Sequence, residues 1–220
     1  MNNETRAIIF DMDGTLIDSE PLHLKAYQQI LSRWGHAWSE EDNKVYLGRK
    51  DSDVCKALVE RFAIDMPAPK LMALKEEATQ SLLRSASPRQ GVMEILRWGE
   101  EHDVPMAVAS SATLPTIEFV VDVLGIRHFF QTLASGDEVA HGKPAPDVFL
   151  LAAERLHVKA EQCLVVEDTL NGIKAAKAAQ MLCIAIPCDA TKHEDHSLAD
   201  RQLESLVDFD VNRWLETGVL

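Results

Sequence analysis

Short, mostly apolar runs, each stopping at a turn-forming or polar residue, set the rhythm of this chain: Ala7–Phe10, Met106–Ala109, Thr132–Ser135, Cys163–Val166 and Leu182–Ile186. Runs of this length and composition predict buried strands. Around the last four, apolar positions recur every three or four residues, the spacing of a helix that buries one face. That spacing predicts helices over about Val92–His102, Leu114–Leu124, Ala145–Leu156 and Gly172–Ala179, with Gly125 closing the second of them. Alternating strand and helix predict right-handed βαβ units around a parallel sheet. Strands so continuously apolar fit a sheet covered on both faces. From about Asp18 to Ser87 the alternation stops and only helical periodicity remains. Ser19 and Pro21 open a helix that runs to about Trp34, before Gly35; a second covers Ser52–Phe62; a third runs from near Pro67 to about Arg84. Proline suits a helix's first turn and glycine its end. The pattern is therefore an α/β core with an all-helical module inserted after its first strand.

Composition narrows the partners. The 220 residues are 46% hydrophobic and 26% charged, ample for a packed core. A net charge of −13 opposes binding to nucleic acid or anionic membranes, which need basic patches. No apolar stretch approaches the roughly 20 residues that span a bilayer, and the first residues carry no signal-peptide core. The four cysteines are scattered without a Cys-x-x-Cys pair, so a reduced, cytoplasmic chain without a zinc site is expected. His193-Glu-Asp-His196 could ligate a metal, but a solvated loop explains it as well.

The chemistry gathers where predicted strands end, which is where ligands bind an open α/β sheet. The first run stops in Asp11-Met-Asp13-Gly14-Thr15. Two carboxylates held there repel each other unless a cation or a shared proton relieves them. The pair suits one acid as nucleophile and the other as proton carrier, with Mg²⁺ between the protein and a phosphate. A calcium loop also begins Asp-x-Asp, but it needs glycine sixth and glutamate twelfth. Here glycine is fourth and the twelfth residue is Leu22. The second run ends in Ser110-Ser111, groups that suit a phosphate oxygen or an ordinary helix cap. Lys143 stands in Gly142-Lys-Pro-Ala-Pro146, a frame stiffened by proline. Glu167-Asp168 closes the fourth run. Each feature alone is ordinary. Together, three to four carboxylates, a lysine and a serine make a site for Mg²⁺ and a phosphoryl group.

Phe10-Asp-Met-Asp-Gly-Thr15, Ala109-Ser110, Lys143-Pro144 and Val166-Glu-Asp168 with Gly172 resemble, in order, the four motifs of the haloacid dehalogenase-like hydrolase superfamily. The likeness spans almost the full chain and includes the position of the helical insert. Within the superfamily, Asp13-Gly-Thr-Leu-Ile-Asp18-Ser-Glu20 and Lys143-Pro-Ala-Pro-Asp147-Val-Phe149 are similar to sugar-phosphate phosphatases and β-phosphoglucomutase. The resemblance implies a Rossmann-like parallel sheet core, residues 1–17 and 88–220, with an inserted helical cap domain, residues 18–87. It implies Asp11 as a nucleophile that forms an aspartyl phosphate and also ligates Mg²⁺. Asp13 would be general acid and base, offering its backbone carbonyl to the metal. Ser110 and Lys143 would hold the phosphoryl group; Asp168 would be a metal ligand, with Glu167 a ligand or its neighbour. Thr15, Glu20, His23, Arg49, Lys50 and Ser111 are the candidate substrate-binding residues. The implied activity is a Mg²⁺-dependent phosphatase acting on a small phosphorylated metabolite, a sugar phosphate, with the chain a monomer or a dimer. A phosphomutase is the alternative, and a non-catalytic regulator a third. The chain departs from the pattern at Gln180, where glycine is common, and at Ser111-Ala-Thr113, which lacks the mutase's lysine and asparagine.

Overall fold

The computed structural model describes residues 6–46 and 51–220. It divides into two compact units, Met1–Asp18 with Ser87–Leu220, and Ser19–Ala86. The first unit holds β1 (Ala7–Phe10), β2 (Met106–Ser110), β3 (Thr132–Ser135), β4 (Cys163–Glu167), β5 (Leu182–Ala185) and β6 (Arg201–Gln202). All pair in parallel as one six-stranded sheet in the order β3-β2-β1-β4-β5-β6. The fold is α/β, as the alternating pattern predicts. Phe10 is in register with Val108 on one side and Val166 on the other, so the residues that follow these three emerge side by side. Strand order reverses between β1 and β4, the switch point at which open α/β sheets bind ligands. Every residue of β1, β2 and β4 is buried, which explains runs without polar alternation.

The second unit is helical: α1 (Glu20–Ser32), α2 (Glu40–Lys44), α3 (Asp51–Phe62) and α4 (Ala68–Leu83). Tyr27, Ile30, Leu31, Trp38, Leu58 and Leu71 are among the side chains of its own small core. α2 has no counterpart in the periodicity, because five residues are too few to show one. Its signal is a capping box: the Ser39 side chain accepts from the Asp42 N–H while Asp42 accepts from the Ser39 N–H.

The first unit's helices are α5 (Val92–Glu101), α6 (Leu114–Val123), α7 (Asp147–Leu156), α8 (Leu170–Ala178) and α9 (Val211–Thr217). Phe149, Ala152 and Ala153 of α7 join Ile173, Ala175 and Ala176 of α8 in the cluster that covers β1, β2 and β4. β6 and α9 were not legible in the sequence. A two-residue strand has no period, and α9 is held by the Arg6 guanidinium, which donates to the Trp214 and Leu215 carbonyls. Gln180, after α8, is left-handed at φ +62°, a conformation that costs a non-glycine residue about 1 kcal/mol. Among the described residues, no helix is long and apolar enough to cross a membrane.

Candidate active site

β1 ends at Phe10, and the next N–H, that of Asp11, donates to the Val166 carbonyl at 2.9 Å. This keeps Asp11 beside the end of β4, where Glu167 and Asp168 follow. All three acids are buried, and each offers a carboxylate oxygen within 4.8 Å of the others'. Two glycines permit the approach. Gly14 is left-handed at φ +75°, and a Cβ there would strike the Asp168 carboxylate. A Cβ on Gly172, in the first turn of α8, would strike the Glu167 carboxylate.

Lys143 reaches the same point from the loop before α7, with its side chain only 6% exposed. Its Nζ donates to Asp11 Oδ1 at 2.5 Å, Glu167 Oε1 at 2.8 Å and the Ala109 carbonyl at 3.2 Å. Three ammonium protons thus meet three acceptors, with the Phe149 ring centroid 4.7 Å from the nitrogen. Glu167 is equally committed. Its Oε2 accepts from the Asp168 and Thr169 N–H groups, both at 2.7 Å, and from Thr169 Oγ1 at 3.0 Å. Asp168 is not: Oδ2 accepts from Thr191 Oγ1 at 3.1 Å, while Oδ1 is buried without a partner. Among the described residues, the only other buried side-chain polar atom left so is Thr15 Oγ1, in the same loop as Asp11.

The electrostatics follow from burial. Burial raises the Asp11 carboxyl well above its usual range; Lys143 opposes this, and the neighbouring charges of Glu167 and Asp168 add to it. Burial, then the Glu167 charge, pushes Asp168 from 3.8 up to about 7, against hydrogen bonds from Thr191 and Cys188. Lys143 holds its proton more firmly than usual, because Asp11 and Glu167 outweigh the effect of burial. Three buried acids face one ammonium with one carboxylate oxygen left open, and oxygen donors from such a cluster could hold a hard divalent cation.

A pH dependence follows. The Asp168 carboxyl keeps its proton to higher pH folded than unfolded, so the folded state binds more protons between 3.8 and about 7. Stability of the ion-free protein therefore falls as pH rises through that window, because the buried carboxyl is forced to ionise beside Glu167. Thermal unfolding in chelator should show the melting temperature falling from pH 5 to pH 7.5. A divalent ion should restore stability mainly at the upper end, where the carboxylates are charged; equal restoration at both pH values would contradict this account.

The other sequence candidates divide by location. Ser110, at the end of β2, is buried and its Oγ accepts from the Ala112 N–H at 3.1 Å. Ser111 and the Asp13 side chain are exposed, and Asp13 contributes no carboxylate oxygen to the triad. Glu20 and His23 belong to the second unit, where Glu20 Oε1 accepts from Asn43 Nδ2 at 2.7 Å and His23 Nδ1 pairs with the buried Lys75 Nζ at 2.8 Å. Arg49 and Lys50 lie outside the described residues. His193 is exposed, and His196 Nε2 sits 2.9 Å from the Asp168 backbone carbonyl. Arg89 had no sequence signal: its guanidinium donates to the Gly14 carbonyl and to those of Ile186 at 2.9 Å and Pro187 at 3.2 Å.

A family model described as haloacid dehalogenase-like hydrolase matches residues 8–186, from β1 to just past β5. The chain belongs to that family. This haloacid dehalogenase-like hydrolase is 38% identical over 175 residues to the fructose-1-phosphate phosphatase YqaB of Escherichia coli, covering 79% of this chain and 92% of that protein. A crystal structure of CbbY from Rhodobacter sphaeroides in complex with phosphate superposes with a TM-score of 0.80 at 30% identity, covering 94% of this chain and 96% of that one. A putative β-phosphoglucomutase from Thermotoga maritima gives a TM-score of 0.83 at 26% identity, over 90% of this chain and 94% of the other. In this hydrolase the matched segment contains every acid of the triad and Lys143.

Proposed function

We propose that this hydrolase is a Mg²⁺-dependent phosphatase that removes phosphate from a small metabolite, a sugar phosphate, through an aspartyl-phosphate intermediate. The observation that carries this reading is the meeting of Asp11, Lys143, Glu167 and Asp168, from three separate segments, around one buried point. Asp11 and Asp168 would hold Mg²⁺, with the Asp13 backbone carbonyl as a third protein ligand; the ion would supply positive charge to the phosphoryl oxygens. Glu167 spends one oxygen on Lys143 and the other on the Asp168 and Thr169 N–H groups just before α8. That makes it the holder of the lysine rather than a ligand.

Asp11 attacks phosphorus as the ester oxygen leaves, and Asp13 gives that oxygen its proton. Asp13 then takes a proton from the water that opens the aspartyl phosphate, which returns Asp11 as carboxylate and releases inorganic phosphate. An exposed Asp13 beside a buried Asp11 suits this division, one group exchanging protons and the other kept from bulk water. Lys143 holds Asp11 in place and offsets charge on the transferring group. The Ser110 hydroxyl and the N–H groups after β2 receive its oxygens. Thr15 Oγ1, buried and unpartnered, is a further donor in the Asp11 loop.

Purified protein should release phosphate from p-nitrophenyl phosphate with Mg²⁺ and lose that activity in chelator, regaining it when Mg²⁺ is restored. A rate indifferent to chelator would overturn the metal's role. The named activity of the Escherichia coli relative makes fructose 1-phosphate the first sugar phosphate to test. The likeness to a putative β-phosphoglucomutase supports a second reading; it predicts sugar-phosphate isomerisation without net phosphate release in the same assay.

A further inference from the structure

The triad acids are not held by the matched motifs alone. Residues 187–196 follow β5 and lie beyond the family match, which stops at residue 186. Thr191 Oγ1 donates to Asp168 Oδ2 at 3.1 Å, and Cys188 Sγ approaches the same oxygen at 3.5 Å. His196 Nε2 sits 2.9 Å from the Asp168 carbonyl, and the Glu194 carboxylate accepts the Leu170 N–H at 2.6 Å. Cys188, Thr191 and His196 are all buried. Thr191 Oγ1 also accepts the Cys188 backbone N–H at 3.0 Å and lies 3.4 Å from Cys188 Sγ, so the hydroxyl links the segment's own backbone to Asp168. These bonds occupy Oδ2 and leave Oδ1 open. Arg89 ties the start of the segment, through the Ile186 and Pro187 carbonyls, to the Gly14 carbonyl of the Asp11 loop.

We propose that residues 187–196 form a clamp on the metal ligand Asp168, with Thr191 as its positioning residue. This rests on the reading of Asp168 as a Mg²⁺ ligand. A carboxylate free to rotate must be ordered when the ion binds, whereas one pinned through its second oxygen presents the first already aimed. Loss of such an outer partner costs roughly 10–100-fold in metal affinity.

The test compares Thr191→Val, which keeps the shape and removes the hydroxyl, with Thr191→Ser, which keeps the hydroxyl. Mg²⁺ affinity is read by calorimetric titration and by the ion's shift of the melting temperature, neither of which needs turnover. Thr191→Val should bind Mg²⁺ roughly 10–100-fold more weakly, with Thr191→Ser within a few-fold of wild type. Thr191→Ala gives the same comparison should the valine fail to fold. Unchanged affinity in the hydroxyl-free variant overturns the clamp, as does equal loss in the serine variant. If the wild-type protein binds no Mg²⁺ at all, the metal reading falls, and the clamp with it.

Discussion

Asp11→Asn is expected to abolish phosphate release, by roughly 10⁴-fold or more, the scale seen when a nucleophile is removed from a site that otherwise stays intact. The amide keeps the size of the side chain and an oxygen for Lys143, but it cannot carry the phosphoryl group. It also removes one of three buried acids whose charges oppose one another. The ion-free variant should therefore melt no lower than wild type at pH 7.5, while its gain in melting temperature with Mg²⁺ shrinks. Phosphate release and thermal unfolding, measured on the same preparation, separate chemistry from folding. A variant that melts normally and still turns over would remove Asp11 from the role of nucleophile.

Lys143→Met should have the second-largest effect, and it should reach stability as well as rate. The ammonium's three acceptors include Asp11 and Glu167, and neither carboxylate is open to water. Breaking a buried ion pair from one side costs about 3–5 kcal/mol, because the surviving charge is left uncompensated. Methionine fills much of the lysine's volume, so the loss reads charge rather than a cavity. It should be greatest at pH 8 and shrink towards pH 5, since acids left without their cation take up protons more readily. Activity should fall by about 10²–10³-fold, the cost of one fixed positive partner of a transferring group. Denaturant unfolding at both pH values checks the stability half. Equal cost at pH 5 and pH 8 would mean that Lys143 contributes packing alone.

Much of the core was legible because its signals are local. The strands are buried on both faces, so their apolar runs stand out from the helical spacing around them. The motif-bearing acids sit at the ends of those runs, where a change from apolar to acidic residues is visible without coordinates. Elements with no period of their own were missed. α2 is a five-residue turn set by one capping box, and β6 is two residues made a strand by pairing with Ile184 and Ala185. Arg89 had no signal because what it binds is backbone carbonyl, and any residue supplies one.

The sequence by itself pointed to the acids, the lysine and the strand ends that come together, and hence to the family. Residue type and spacing carry that information, since a carboxylate after a buried strand is costly wherever the strand lies. Only the tertiary structure decided which oxygen of each acid is free. Glu167 is used up by Lys143 and by the N–H groups of Asp168 and Thr169, while Asp168 keeps Oδ1 open and Thr191, 23 residues further on, occupies Oδ2. Hydrogen bonds between segments distant along the chain depend on strand register and loop path, which no local pattern encodes.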